Sequence, residues 1–118
     1  MGMTYATVRV ANPSELNRAE GIELLVDTGS MLSVVPRPVL ERLGIVPAGR
    51  RPFRAFGGIV ERETGSALME YDGVRAGVGV IFGEAGDPLL LGVTSLESLG
   101  YQVDPVAGKL KPTEMLLL

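Results

Sequence analysis

Apolar and polar residues alternate from Thr4 to Ala11 (TYATVRVA), which predicts a half-buried β-strand, and Asn12-Pro13-Ser14 ends it as a turn. Gly21 to Val26 runs apolar into Asp27-Thr28-Gly29-Ser30, and Leu32 to Val35 resumes the run. Arg51 to Phe56, then Gly57-Gly58, then Ile59 onward predict a hairpin. Asp72-Gly73 predicts a second tight turn before a strand over Val74 to Phe82, whose Gly77 and Gly79 mark a bend or a close backbone approach. After a loop holding Gly83, Gly86, Asp87 and Pro88, Leu89-Leu90-Leu91 reads as a buried strand closed by Gly92. Tyr101 to Val103 and Lys109-Leu110 flank an Asp104-Pro105 turn.

Helical signals are few and short. Pro38 to Leu43 has proline at a first helical position and Gly44 just past its end. Thr94 and Glu97 have capping-box spacing, which predicts a helix over Ser95 to Leu99 ended by Gly100. The pattern is that of an all-β domain spanning residues 1–118, with no repeat or linker.

The size agrees. A folded chain of 12.5 kDa keeps roughly 6,200 Å² of accessible surface out of about 18,000 Å² unfolded, enough burial for one core. Composition then narrows the chemistry. The 118 residues include neither cysteine nor histidine, so disulfides, thiolate nucleophiles, serine-histidine catalysis and Cys- or His-ligated metals are excluded. Lysines and arginines number 11 against 14 acids, a net charge of −3. The one basic cluster, Arg50, Arg51 and Arg54, is short and lacks interleaved aromatics, so no nucleic-acid partner is expected. No apolar run nears the roughly 20 residues that span a bilayer. Met1-Gly2-Met3-Thr4 also lacks the regions of a signal peptide, so a cytoplasmic location without membrane attachment is expected.

Any hydrolytic chemistry must therefore come from carboxylates, lysine, tyrosine, hydroxyls or the backbone, and of the 14 acids only four are aspartates. Asp72, Asp87 and Asp104 stand in Asp-Gly or Asp-Pro contexts that read as turns. Asp27 is different, because the apolar run Leu24-Leu25-Val26 delivers it into Asp27-Thr28-Gly29-Ser30. An Asp-Thr-Gly triplet arises by chance in roughly one chain in fifty of this length, so context must decide between a site and a strand-end turn.

Three segments together resemble the retropepsin-like, retroviral-type aspartic proteases and their prokaryotic relatives. These are Leu25 to Ser30 as a catalytic loop, Phe56-Gly57-Gly58 as a flap tip, and Leu89-Leu90-Leu91-Gly92 followed by the helix through Leu99. The resemblance implies a closed, barrel-like single lobe with one short helix near the C-terminus, assembled as a C2 homodimer. It implies Asp27, Thr28 and Gly29 as the catalytic loop, with Thr28 bonding across the dimer, Gly29 permitting the turn and Ser30 reaching the outer carboxylate oxygen. Ser30, Phe56, Gly57 and Gly58 would bind an extended polypeptide substrate, with Val34, Val35, Ile59 and Leu89 as candidate pocket walls. Met1 to Ala6 and Met115 to Leu118 would interleave between protomers.

Peptide hydrolysis by carboxylates needs two of them facing each other about a water, one ionised and one protonated. One motif per chain therefore implies a site completed by a second copy, an aspartic endopeptidase needing no metal or cofactor. The alternative is the same fold kept as a non-catalytic peptide-binding or dimerisation module.

Overall fold

A computed structural model describes residues 2–117; Met1 and Leu118, the outermost residues of the two terminal segments above, lie outside the described residues. Strand β1 (Tyr5–Asn12) buries Ala6, Val8 and Val10 on one face and leaves Tyr5, Thr7 and Arg9 on the other. The chain reverses at Pro13-Ser14, where the Ser14 amide donates to Asn12 Oδ1 at 2.8 Å. Strand β2 (Glu15–Asp27) is longer than the apolar run from Gly21, because Glu15, Ala19 and Glu20 of its polar first half also pair with β1, across a register shift at Ala11/Asn12. Ladder hydrogen bonds hold that half-strand, and hydrophobic pattern does not register it.

Strand β3 (Ser33–Pro36) leads into helix α1 (Arg37–Arg42), followed by the hairpin of β4 (Gly49–Ala55) and β5 (Gly58–Tyr71). Next come β6 (Val74–Gly83), β7 (Leu90–Gly92), helix α2 (Val93–Leu99), and a small sheet of β8 (Tyr101–Asp104) and β9 (Lys109–Pro112). The large sheet runs β1-β2-β7-β3-β6-β5-β4, and a further pairing of β1 with β5, from Arg9↔Glu70 to Ala11↔Leu68, closes its first six strands into a barrel. Strand β4 stays outside the ring. It pairs only with the first half of β5, so the β4–β5 hairpin is an arm projecting from the barrel wall.

Two turns follow their sequence signals closely. Asp72 (φ 50°) and Gly73 (φ 81°) form the two-residue loop between Tyr71 and Val74, both in the left-handed region that an Asp-Gly hairpin turn requires. Asp104 Oδ1 accepts the amides of Val106 and Ala107 and so closes its own turn. Helix α2 departs from expectation. It starts at Val93 with Gly92 as its N-cap and no side-chain cap, so Thr94 lies inside it. The Thr94 hydroxyl donates 2.6 Å to the Met31 carbonyl instead of capping, a tertiary acceptor having displaced the local one. Helix α1 also forms, so the lobe holds a second short helix beside the one that the resemblance places near the C-terminus.

The barrel interior is filled by Val8, Val10, Leu24, Val35, Met69, Val80, Phe82 and Leu91, closed at its ends by α1 and α2. A second, smaller cluster lies on the outer face of the same strands: Val34, Ile81 and Leu90, with Leu25, Leu32 and Phe53 packed against it. Phe53 belongs to β4, so the projecting arm folds its aromatic ring over the outer cluster.

Candidate active site

Alternation fixes which way Asp27 faces. In β2, Leu24 points into the barrel and Leu25 outward, so Asp27 shares the outward face with Leu25. The parallel ladder to β7 sets Leu25 against Leu90 and Asp27 against Gly92. The carboxylate thus stands at the end of the outer apolar cluster, half-exposed, with apolar side chains along one flank.

The loop geometry is tight. The Ser30 amide donates to the Asp27 carbonyl at 3.1 Å, closing a four-residue turn, and the Gly29 amide donates to Asp27 Oδ1 at 2.9 Å. Gly29 is not among the residues with positive φ. Its reason is close approach, since a Cβ there would lie 3.2 Å from Asp27 Oδ1. The expected reach of Ser30 to the carboxylate is replaced by a bond from its hydroxyl to the Leu32 carbonyl at 2.8 Å. Thr28 is exposed at the tip, and among the described residues its hydroxyl meets no partner within the chain.

Beyond the loop, the chain is pinned to α2. The Ser30 and Met31 carbonyls accept the amides of Val93 and Thr94, two of the donors that the first turn of a helix leaves unpaired. Ser33 Oγ accepts the Gly92 amide at 2.9 Å and lies 2.7 Å from Ser95 Oγ, both serines fully buried. Sequence reading missed this pair, because residues 62 positions apart carry no local signal of meeting.

Phe56 and Gly57 (φ 96°) are the two turn residues of the arm, and Gly58 already pairs with Ala55. Phe56 is wholly exposed at the tip. Of the four candidate wall residues, Val34 lies in the outer cluster, Leu89 and Ile59 are exposed, and Val35 is fully buried in the barrel core. Val35 is therefore not a wall; the period of two in β3 gives the outer face to Val34. Leu25, Leu32, Phe53 and Leu90 join Val34 in the outer cluster, which pattern alone did not select.

Asp87 is more than a turn residue. Strand β5 parts from β6 above Thr64↔Ile81, and the loop after Gly83 and helix α1 carry partners for the two faces of the departing strand. Arg62 makes a two-pronged ion pair with Asp87 at 2.8 and 2.9 Å, and Asp87 also accepts the Glu84 amide. Glu63 accepts from Arg37 at 2.6 Å, and Arg37 also grips Glu84 at 2.8 Å. The root of the arm is clamped at that point. The Arg62 hydrogen bond holds the Asp87 carboxyl below its ordinary range, against the opposing effect of burial. A carboxyl depressed in the folded state adds stability above its unfolded pKa, and that stability disappears as pH falls through the lower folded value. Asp87→Asn is therefore expected to cost ~1 kcal/mol at neutral pH and at pH 5, with the difference vanishing only below about pH 4. Urea titrations of both proteins across that range check it.

Among solved structures, the chain is similar to the EIAV protease complexed with the inhibitor HBY-793: TM-score 0.65 and 18% identity, covering 87% of this chain and 93% of that one. No family model and no curated protein matches the sequence. The lobe accordingly has the retropepsin-like fold, with its all-β, barrel-like architecture.

Proposed function

We propose that the chain is an aspartic endopeptidase acting as a homodimer, in which two Asp27 carboxylates activate a water to hydrolyse a peptide bond. One observation carries the reading: in a fold shared with a protease, Asp27 sits outward at the end of the outer apolar cluster, on a turn that Gly29 and Gly92 hold in place. In the proposed pair, one carboxylate takes a proton from water while the other, protonated, donates to the substrate carbonyl. Asp27 Oδ1 already accepts from Gly29, leaving Oδ2 for the water. The arm with Phe56, Gly57 and Gly58 at its tip would lie over an extended polypeptide and donate backbone hydrogen bonds.

Surface supports the second copy. The chain exposes 7187 Å², about 1,000 Å² more than a folded monomer of its mass keeps, and a standard interface covers about 800 Å² per partner. Met3, Tyr5, Met115, Leu116 and Leu117 are exposed at the two ends of the described chain, and an open groove lined by Met3, Thr4, Thr28 and Val103 runs beside Asp27.

Sedimentation at micromolar concentration, together with cleavage of an unstructured protein such as casein, tests the proposal. The expected result is a dimer that cuts casein and is blocked by a statine inhibitor at one molecule per two chains. A strict monomer would remove the proposed site. A dimer that binds peptides without cutting them would make the chain a binding module.

A further inference from the structure

The arginines are distributed unevenly with respect to partners. Of nine in the sequence, Arg9, Arg18, Arg37, Arg42, Arg50, Arg62 and Arg75 each lie within 4 Å of a carboxylate. Arg51 and Arg54 have no such partner among the described residues, and both are on β4. The segment from Gly49 to Glu63 holds four arginines against two glutamates, a net of +2 in a chain of −3. Nothing in the fold requires this, since both side chains are exposed and bury no area that a neutral residue would leave uncovered.

Direction follows from the ladder. Residues paired across antiparallel strands share a face, so Arg51 lies beside Arg62, Phe53 beside Val60 and Ala55 beside Gly58. Phe53 packs onto the outer cluster beside Asp27, so its face is the one turned to that cluster, where the proposed substrate would lie. Arg51, two residues away, projects from that same face. Its neighbour Arg62 is already neutralised by Asp87, so Arg51 is the cation on that face left for a ligand. Strand β4 is also the free edge of the sheet, open to an extended chain beside it.

We infer that the site selects polypeptides carrying an acidic side chain on the outer part of the bound segment, paired by Arg51 and supported by the field of Arg54. Four residues separate Arg51 from Ala55 next to the tip, about 13 Å of strand, and an extended substrate advances at the same rise. The acid thus falls about three to five residues from the bond under the tip. In a dimer the second arm repeats the preference on the other side. The inference rests on the protease reading for the placement of substrate, but its test does not need turnover.

Two fluorescent peptide pools, identical and apolar at their central positions and flanked by Glu in one and by Gln in the other, are titrated into the Asp27→Asn protein, and cleavage of both is measured with the unaltered protein. The Glu pool is expected to bind about three- to fivefold more tightly at low salt, with the gap closing at about 0.5 M salt. Arg51→Gln should abolish the preference and Arg51→Glu should invert it toward the Gln pool. Lys109→Gln, the same charge change on β9, should leave it in place. Equal binding of the two pools, or a preference that survives Arg51→Gln, overturns the inference even if both pools are cut. A preference with the predicted Arg51 dependence but no cleavage of either pool keeps the inference and removes the protease reading.

Discussion

Asp27→Asn is expected to lower the rate of peptide cleavage by about 10⁴-fold, the upper end of what a positioned acid or base contributes, because one substitution alters both carboxylates of a symmetric pair. An amide cannot take the proton from water, and it cannot hold one for the substrate carbonyl. The fold should be nearly untouched. Asp27 is only half-buried, and the one hydrogen bond its side chain makes among the described residues, from the Gly29 amide, can be accepted equally well by the Asn side-chain carbonyl. Thermal unfolding of the variant should therefore stay within about 0.5 kcal/mol of the parent. Cleavage that persists, with sensitivity to a statine inhibitor, would place the chemistry elsewhere in the chain. Loss of cleavage together with loss of the fold would leave catalysis undecided, so near-identical unfolding curves belong to the expected result.

Gly92→Ala should produce the largest loss of stability of any single methyl added to the chain, about 3 kcal/mol. A Cβ at Gly92 would lie 2.5 Å from both the carbonyl carbon and the oxygen of Leu32 and 3.0 Å from the Met31 oxygen. These are backbone atoms, and they cannot rotate aside. They are also held in place, because Met31 accepts two bonds from Thr94 and the Gly92 amide is committed to Ser33. The strain falls on the segment after the Asp27 turn, and Gly92 is the ladder partner of Asp27, so activity should fall along with stability. Gly77→Ala is the control. Nothing lies within 4 Å of a Cβ there and its φ is ordinary, so alanine should be neutral or slightly stabilising. Urea midpoints for the two variants decide the matter, and equal midpoints would mean that the segment is free to move away from Gly92.

These two glycines show where sequence reading reached and where it stopped. Both stand in apolar stretches with similar flanks. The spacing of Leu89-Leu90-Leu91-Gly92 was informative because of its order relative to the Asp27 loop, yet the carbonyl group that forbids a side chain at Gly92 comes from Leu32, 60 residues earlier. The same limit hid the Ser33–Ser95 pair and the ion pair of Arg62 with Asp87. Asp87 alone reads as a turn residue, and Arg62, Ser33 and Ser95 carry no local signal of their partners.

Local physics was sufficient for a good deal. Alternation in β1 set its two faces, Asp-Gly set the turn at Asp72, glycine ended α2 at Gly100, and the lack of cysteine and histidine removed thiolate and imidazole chemistry. All of these depend on a residue and its near neighbours. Tertiary structure decided what depends on distant ones: closure of the barrel by β1 on β5, the choice of Val34 over Val35 as an outer-face residue, the start of α2 at Val93, and the clamp at the root of the arm. The physical reason is that a polar group bonds whichever partner the fold brings closest. Thr94 found an acceptor in the Met31 carbonyl and Asp87 a donor in Arg62, and the sequence could place neither.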